Sequence, residues 1–486
     1  MKQIIDKFVN GMTMYRLTLY ALSIMAAVAI GFSVVGILQF NTISMILSIS
    51  VLLAVSIGIN QLFGYMFAVK TNNQSAYITA LILFLIFPAS DTLAMAVSLA
   101  LVATIAMASK YLVVWRGRHL FNPAAFAAFI SGIVGLQTAS WWVATGSLLP
   151  FTFILGGLVL YKTKRLQMGL TYVTVSVLVI ATITTLKGNS FVALLPVLLT
   201  SWPLLFFASF MLSEPLGSPP RKSQRSIFAT GVAVLANAQL QLVGVSIGPQ
   251  AALLVGNIYT FLSGQRGGIR LRFTSRRQLS RDQVEYIFEP LRPLRYQAGQ
   301  YIEIQLPHDK SDNRGIRRMF TIASSPTETT MKLGVRHYTP SSTYKKALER
   351  LVPGSVLSAT AIYGDFILPN DKSEKLLFIA GGIGITPFRS QLAWLASNND
   401  RRDGVLLYST RTEDDVVYSD ILHDERHGVQ VHTVRSLEQQ DIAQYCKDIA
   451  QRTVYISGPP GMVDSVAKSA AALGAKRIIT DHFAGY

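Results

Sequence analysis

Arg318-Met-Phe-Thr-Ile-Ala-Ser324 and, further downstream, Gly381-Gly-Ile-Gly-Ile-Thr-Pro387 decide how this chain is read. The first places a cation, an aromatic ring and two hydroxyls at the end of a strand-like run. Such a set suits a flavin nucleotide: a guanidinium can hold a pyrophosphate bidentately, a ring can pack on the isoalloxazine, and a hydroxyl can reach its polar edge. Ahead of the second, the apolar run Leu376-Leu-Phe-Ile-Ala380 predicts a buried parallel strand. It feeds a phosphate-binding turn at a helix start. A glycine-rich turn by itself is more often only a turn. The two pieces in this order carry the weight.

The 486 residues are 50% hydrophobic and only 15% charged, too few charges for an ordinary soluble protein. The deficit is local. Residues 1–265 hold three acids, Asp6, Asp91 and Glu214, and the rest of the 27 lie beyond. This predicts a membrane domain over 1–265 and a soluble half after the boundary near Gly264-Gln-Arg-Gly-Gly268. The net charge of +17 does not mark a nucleic-acid binder, because the basic residues of the first half sit in short loops between apolar runs. A single cysteine, Cys446, excludes intramolecular disulfides, Cys-ligated iron–sulfur clusters and a Cys₄ zinc site. No metal site is expected. The first apolar run is too long for a signal-peptide core and reads as a span.

Ten apolar runs predict about ten spans, near 16–38, 43–68, 75–89, 92–114, 121–137, 147–161, 168–186, 190–212, 226–244 and 248–264. Lys2, Lys7, Lys70, Arg116, Arg118, Lys162, Lys164, Arg165, Arg221, Lys222 and Arg225 fall on one set of alternate loops. Lys187 stands alone on the other set. By the positive-inside rule this predicts a multi-pass protein of the cell membrane with both termini cytoplasmic. Trp141 and Trp142 read as an outer interfacial belt. His119 is the sole histidine before residue 300, so a two-heme membrane domain is excluded. No Asp or Glu lies inside a span, which offers no obvious ion path.

Residues 268–370 alternate in short runs such as Tyr301-Ile-Glu-Ile-Gln-Leu306 and Lys332-Leu-Gly-Val-Arg336, which suits an antiparallel barrel. Beyond Leu376, apolar strand-like runs alternate with helical ones, the pattern of a doubly wound parallel sheet. With Gln297-Ala-Gly-Gln-Tyr301, Tyr455-Ile-Ser-Gly-Pro-Pro-Gly-Met462 and Asp481-His-Phe-Ala-Gly-Tyr486, residues 267–486 resemble the ferredoxin-NADP reductase superfamily. The resemblance implies an FAD-binding β-barrel at 266–370 and an NAD(P)-binding α/β domain at 371–486. It assigns Arg318, Phe320, Thr321 and Ser324 to FAD, with His337 or Tyr338 and then Ser342 and Thr343 continuing round the pyrophosphate. For Ser342 and Thr343 an ordinary helix cap is the competing reading. Gly381, Gly382, Gly384 and Thr386 would seat NADH or NADPH, with Ser457, Gly458 and Met462 at the nicotinamide end. The terminal Phe483 and Tyr486 resemble the aromatic that shields the flavin in relatives. Thr321, Ser457 and Tyr486 would stand at the hydride-transfer point. Arg411 would meet the adenine ribose; acids follow it and no second cation is close in sequence, which favours NADH.

Two loop motifs remain in the first half, Arg118-His-Leu-Phe-Asn-Pro-Ala-Ala-Phe126 and Phe210-Met-Leu-Ser-Glu-Pro-Leu-Gly-Ser-Pro219. Physically they read as a helix cap and a rigid turn. Together with Thr79-Ala-Leu-Ile-Leu and Phe206-Phe-Ala-Ser-Phe-Met-Leu, they resemble the NqrB and RnfD membrane subunits over about residues 15–264. Those subunits belong to the Na⁺-translocating NADH:quinone reductase and the Rnf complex. That resemblance implies a flavin near Asn122 and Glu214. The family's FMN-attachment pattern is missing from Gln137–Ser147, where Thr145 is the nearest candidate, so a second, non-covalent flavin (FMN or riboflavin) is expected. The joint expectation is an NAD(P)H-dependent flavoprotein oxidoreductase in the lipid bilayer. It would pass electrons to a quinone or an extracytoplasmic acceptor, with partner redox subunits allowed. The rival is a transport or binding protein with a redox-sensing flavin domain.

Overall fold

The computed structural model describes residues 9, 12–69, 71–115, 118–242, 245–263, 268–309, 312 and 315–481. Lys2, Lys7, Lys70 and Arg116 from the charge argument, the boundary residues Gly264–Gly267, and Phe483 and Tyr486 lie outside the described residues. The chain divides into two compact units, Met1–Gly267 and Gly268–Tyr486.

The first unit is helical, with α1 (Met14–Val34), α2 (Thr42–Met66), α3 (Asn73–Ile86), α4 (Leu93–Leu112), α5 (Pro123–Ile133), α6 (Leu149–Lys162), α7 (Leu166–Leu186), α8 (Phe191–Ser201), α9 (Lys222–Asn237) and α10 (Pro249–Ser263), and each of the ten apolar runs holds helix. Among the described residues, four helices are long and apolar enough to cross a membrane: Met14–Val34, Thr42–Met66, Leu93–Leu112 and Leu166–Leu186. The others are shorter. Asn73–Ile86 is buried continuously from Thr79 to Ile86, so it is walled by protein on every side. Pro123 opens the helix Pro123–Ile133 behind an Asn122 cap, a position where a missing N–H costs nothing. The eighth run is interrupted. Phe191–Ser201 ends before Pro203, and a π-helical turn, Phe207–Leu212, follows.

Trp141 and Trp142 do not form a surface belt. Both are buried, and the Trp142 indole donates to the carbonyls of Phe84 (2.9 Å) and Phe87 (2.8 Å). The neighbouring backbone N–H groups of Ser140 and Trp141 donate to Ile86 O, and that of Val143 to Leu85 O. The open carbonyls at the end of Asn73–Ile86 are thus closed by one segment, which draws both tryptophans inward. Trp142→Phe keeps the ring and removes the donor. It is expected to destabilise the detergent-solubilised chain by about 1–3 kcal/mol, read by denaturant unfolding.

The second unit joins a barrel to an α/β lobe. Strands β1 (Ile269–Ser280), β2 (Gln283–Pro290), β3 (Tyr301–Gln305), β4 (Arg317–Thr321), β5 (Met331–Arg336) and β6 (Val356–Tyr363) form an antiparallel sheet. Its order is β4-β3-β6-β1-β2-β5. Alternation places Ile302 and Ile304, with Leu333 and Val335, in its core. The edges nearly meet: Ala323 N–H donates to Lys332 O at 2.8 Å. Helix α11 (Thr343–Glu349) lies between β5 and β6 in sequence.

The lobe has five parallel strands: β7 (Leu376–Gly381), β8 (Gly404–Ser409), β9 (Val429–Val434), β10 (Thr453–Ser457) and β11 (Arg477–Asp481). They run in the order β9-β8-β7-β10-β11. Strand β7 is buried along its whole length, as its unbroken apolar run requires of a central parallel strand. Leu377 and Ile379 pack on one side of the sheet, Leu376 and Phe378 on the other.

Candidate functional site

The lobe's strand order reverses between β7 and β10, and ligands of such sheets bind at that crevice. Two turns flank it. Gly382–Ile385 leads into helix α12 (Thr386–Ser397), and Gly458–Pro459 leads into helix α14 (Pro460–Ala472), with α13 (Gln439–Tyr445) placed between them in sequence. A Cβ on Gly384 would meet the Ser457 carbonyl oxygen and lie 2.7 Å from Gly458 Cα. The two turns therefore touch backbone to backbone, leaving the N-terminal end of α12 open to a phosphate.

The barrel supplies the opposite wall of one cleft of about 440 Å³. Met319, Phe320 and Thr321 enter from β4, and Gly334, Val335 and Arg336 from β5. Tyr338 lies beside them, 43% exposed, with the Arg336 guanidinium 5.6 Å and the Lys345 ammonium 4.8 Å from its ring centre. This is an aromatic platform between two cations, apt for a flat ring bearing an anionic tail. The residues present fit both a nicotinamide dinucleotide and a flavin.

Of the residues read from sequence, Phe320, Thr321, Gly381, Gly382, Gly384, Thr386, Arg411, Ser457, Gly458 and Met462 converge on this cleft. Others do not line it. Arg318 was expected to grip a pyrophosphate, but its guanidinium holds the Asp312 carboxylate at 3.0 and 3.3 Å and the Gly315 and Arg317 carbonyls. Ser324 is fully buried, its hydroxyl accepting from Lys332 N–H and lying 3.2 Å from the Tyr296 hydroxyl. His337 lies 2.6 Å from Glu349 and 3.2 Å from Tyr286; burial holds its imidazole below the ordinary range although Glu349 pulls the other way. Ser342 caps α11, whereas the Thr343 hydroxyl turns away from the helix, accepting from Asp312 N–H and lying 3.1 Å from His308 Nε2. Phe483 and Tyr486 fall outside the described residues.

Sequence reading missed Arg435. It lies one residue beyond β9, and β9 pairs with β8 so that Ser409 faces Val434. Arg411 and Arg435 therefore line the same end of the cleft, together with Ser409 and Thr410. The second cation judged absent near Arg411 comes from the adjacent strand. Only the strand order could have revealed it.

In the helical unit, Asn122 and Glu214 do meet: the Asn122 amide donates to Glu214 Oε2 at 2.8 Å, and His119 Nε2 lies 3.5 Å from Oε1. The Asn122 backbone N–H donates to Asn257, whose own amide donates to Gly217 O. The Asn122 side-chain oxygen caps Ala125 N–H. Cap and turn are thus one hydrogen-bonded assembly. Thr145, 3.3 Å from the Ser147 hydroxyl, borders a separate apolar cavity of about 150 Å³.

Residues 378–468 match the family model described as the oxidoreductase NAD-binding domain. The C-terminal unit therefore carries an oxidoreductase NAD-binding domain. The chain is 26% identical over 195 residues to the NADH oxidoreductase HCR of Escherichia coli K12, covering 39% of this chain and 59% of that protein. It is 28% identical over 202 residues to an NADPH oxidoreductase of Mycobacterium tuberculosis, covering 39% and 52%. The chain thus spans between half and three fifths of the length of these curated relatives. Among solved structures, it is similar to the FAD/NAD-binding domain of nitric oxide dioxygenase from Vibrio cholerae. There the identity is 21% and the TM-score 0.40, with 45% of this chain and 99% of that one covered.

Gly384→Ala places a methyl group in the turn–turn contact, whereas a Cβ on Gly461, one residue into α14, would meet nothing within 4 Å. The first is expected to weaken coenzyme binding at least about tenfold, a loss of ~1.4 kcal/mol or more, and the second to leave it unchanged, both read by NAD(P)H titration of the purified chain.

Proposed function

We propose that this chain is a membrane-bound NAD(P)H-dependent flavin oxidoreductase. Coenzyme arriving from the cytosol would be oxidised in the cleft of the C-terminal unit. Electrons would then pass into the helical unit and on to a quinone or an extracytoplasmic acceptor. The observation that carries the reading is one cleft lined by Thr321 and Phe320 on one wall and by Gly381–Gly384 and Ser457–Met462 on the other. FAD, when bound there, would take a hydride from the nicotinamide and release its two electrons one at a time. The chain's own task is placement. Gly384 and Gly458 let the two turns close on each other and form the seat, the start of α12 would face the coenzyme phosphates, and Thr321 would offer a hydroxyl on the flavin side. No acid–base triad is needed, because the barrier to hydride transfer falls mainly through positioning.

For the helical unit we propose ten spans with both termini cytoplasmic and a second, non-covalent flavin, FMN or riboflavin, beside Asn122 and Glu214. The charge asymmetry of the loops supports the first. The hydrogen bond that joins two distant segments at Asn122 and Glu214 supports the second. Reconstituted vesicles decide between electron transfer and transport. An impermeant acceptor outside should be reduced only when NAD(P)H is on the side of the C-terminal unit. Solute uptake without coenzyme would favour a transporter instead. Flavin released by acid should equal two per chain, one of them FAD.

Arg411 and Arg435, with the hydroxyls of Ser409 and Thr410, form a set that would meet a 2′-phosphate, so we propose that NADPH is accepted as well as NADH. Arg435→Ala should raise the KM for NADPH about tenfold, the scale of one hydrogen bond to a charged group, and that for NADH by less than about twofold. Equal effects on both coenzymes would remove the 2′-phosphate assignment.

A further inference from the structure

Helix α12 leaves the phosphate turn and is fastened to the barrel at three successive residues. Arg389 donates to Ala323 O at 3.0 Å and to both carboxylate oxygens of Glu328, one of them at 3.3 Å. The Ser390 hydroxyl donates to Ser324 O at 2.6 Å, and the Gln391 amide to Phe366 O at 2.8 Å. Arg389 is only 5% exposed, and Ser390 and Gln391 are fully buried. Glu328 is held in turn by Ser325 N–H at 2.8 Å and by the Lys332 ammonium at 2.6 Å. Burial alone would raise the Glu328 carboxyl; the Arg389 guanidinium outweighs it and keeps the group below the ordinary carboxylate range. The barrel turn also comes close here: a Cβ on Gly299, at φ +94°, would lie 2.6 Å from the Gln391 amide nitrogen.

The position of this latch matters more than its strength. Arg389 follows the coenzyme turn within one helical turn of Thr386, and Ala323 follows Thr321 by a single intervening residue. Both walls of the cleft are therefore tied to the latch by very short lengths of rigid chain. Freedom at the latch would pass along these short segments to the gap between Thr321 and Gly384. Hydride transfer depends steeply on that gap, because reacting atoms must approach to about 3–3.5 Å.

We propose that Arg389 and Glu328 are positioning residues that set the spacing between the coenzyme turn and the flavin wall. The proposal rests on the reading of the cleft as a NAD(P)H–flavin site. Arg389→Met, Glu328→Gln and the double variant test it in the full-length, FAD-loaded chain, with Lys372→Met, which removes an exposed lysine's ion pair to Asp400 and touches neither residue, as a control. Flavin reduction at saturating coenzyme should slow at least about tenfold in each single variant, the loss expected when near-attack geometry is disturbed. The double variant should be no slower than the worse single, since both remove one contact. FAD content and coenzyme Kd should stay near wild type, the long-wavelength charge-transfer absorbance should fall, and Lys372→Met should leave all of these unchanged.

A second measurement needs no loaded enzyme. In the FAD-free chain, amide exchange in 322–328 and in 386–391 should quicken together in Arg389→Met and in Glu328→Gln. Unchanged reduction rates in folded variants would overturn the proposal, as would a slowdown that merely tracks FAD loss or exchange confined to one segment. A wild-type chain that NAD(P)H cannot reduce would overturn the site reading instead, leaving the exchange data to judge the latch alone.

Discussion

The arrangement of the C-terminal unit depends on one steric fact: two backbone turns, from β7 and β10, pack against each other with no room for a side chain between them. Gly384 lies so close to Ser457 and Gly458 that the crevice where the strand order reverses becomes a shallow seat rather than a closed seam. The apolar run of β7 enforces this. A strand buried on both faces has no freedom to slide, so its register with β10, Leu376 opposite Thr453 through Ala380 opposite Ser457, fixes where each turn begins. Backbone precision at the seat follows from side-chain packing below it.

Charge then orients what the seat can hold. Four cations line the cleft, Arg336 and Lys345 from the barrel and Arg411 and Arg435 from the lobe. The barrel pair is anchored, Lys345 to the Arg336 carbonyl at 2.6 Å and Arg336 to Asp282 at 2.7 Å. The lobe pair is exposed beyond the ends of β8 and β9. A long ligand with anionic groups along its length meets fixed charge at one end and adaptable charge at the other. Arg411 and Arg435 form no ion pair among the described residues, so either can swing toward an anionic group at low cost.

The motifs that put backbone where a ligand would lie were legible in the sequence: Gly381–Thr386, Ser457–Met462 and Phe320-Thr321 all come to one cleft, since glycine and strand-end signals are local. Assignments that required knowing where a side chain turns were harder. Arg318 lies near the start of the right strand, where Asp312 in a loop claims it, and Ser324 points inward because the barrel closes through Lys332. Arg435 was invisible for the opposite reason. Its partnership with Arg411 is made by strand adjacency, which no linear spacing encodes.

The helical unit makes the same point about backbone. Fourteen residues in Asn73–Ile86 rise ~21 Å, less than the ~30 Å of a hydrocarbon layer, so this run could not cross as a bare helix. Its carbonyls at the end are nevertheless satisfied, by Trp142, Ser140, Trp141 and Val143, and beyond it Ser90 N–H finds the Ser48 hydroxyl at 2.8 Å. Non-helical backbone survives in an apolar setting only where protein supplies its partners. A length count over the apolar run sees a short span, whereas the hydrogen bonds describe a segment whose remainder is carried by its neighbours. The tryptophan pair that hydropathy assigns to an interface is the device that makes this possible, because an indole brings a donor into an apolar core without bringing a charge.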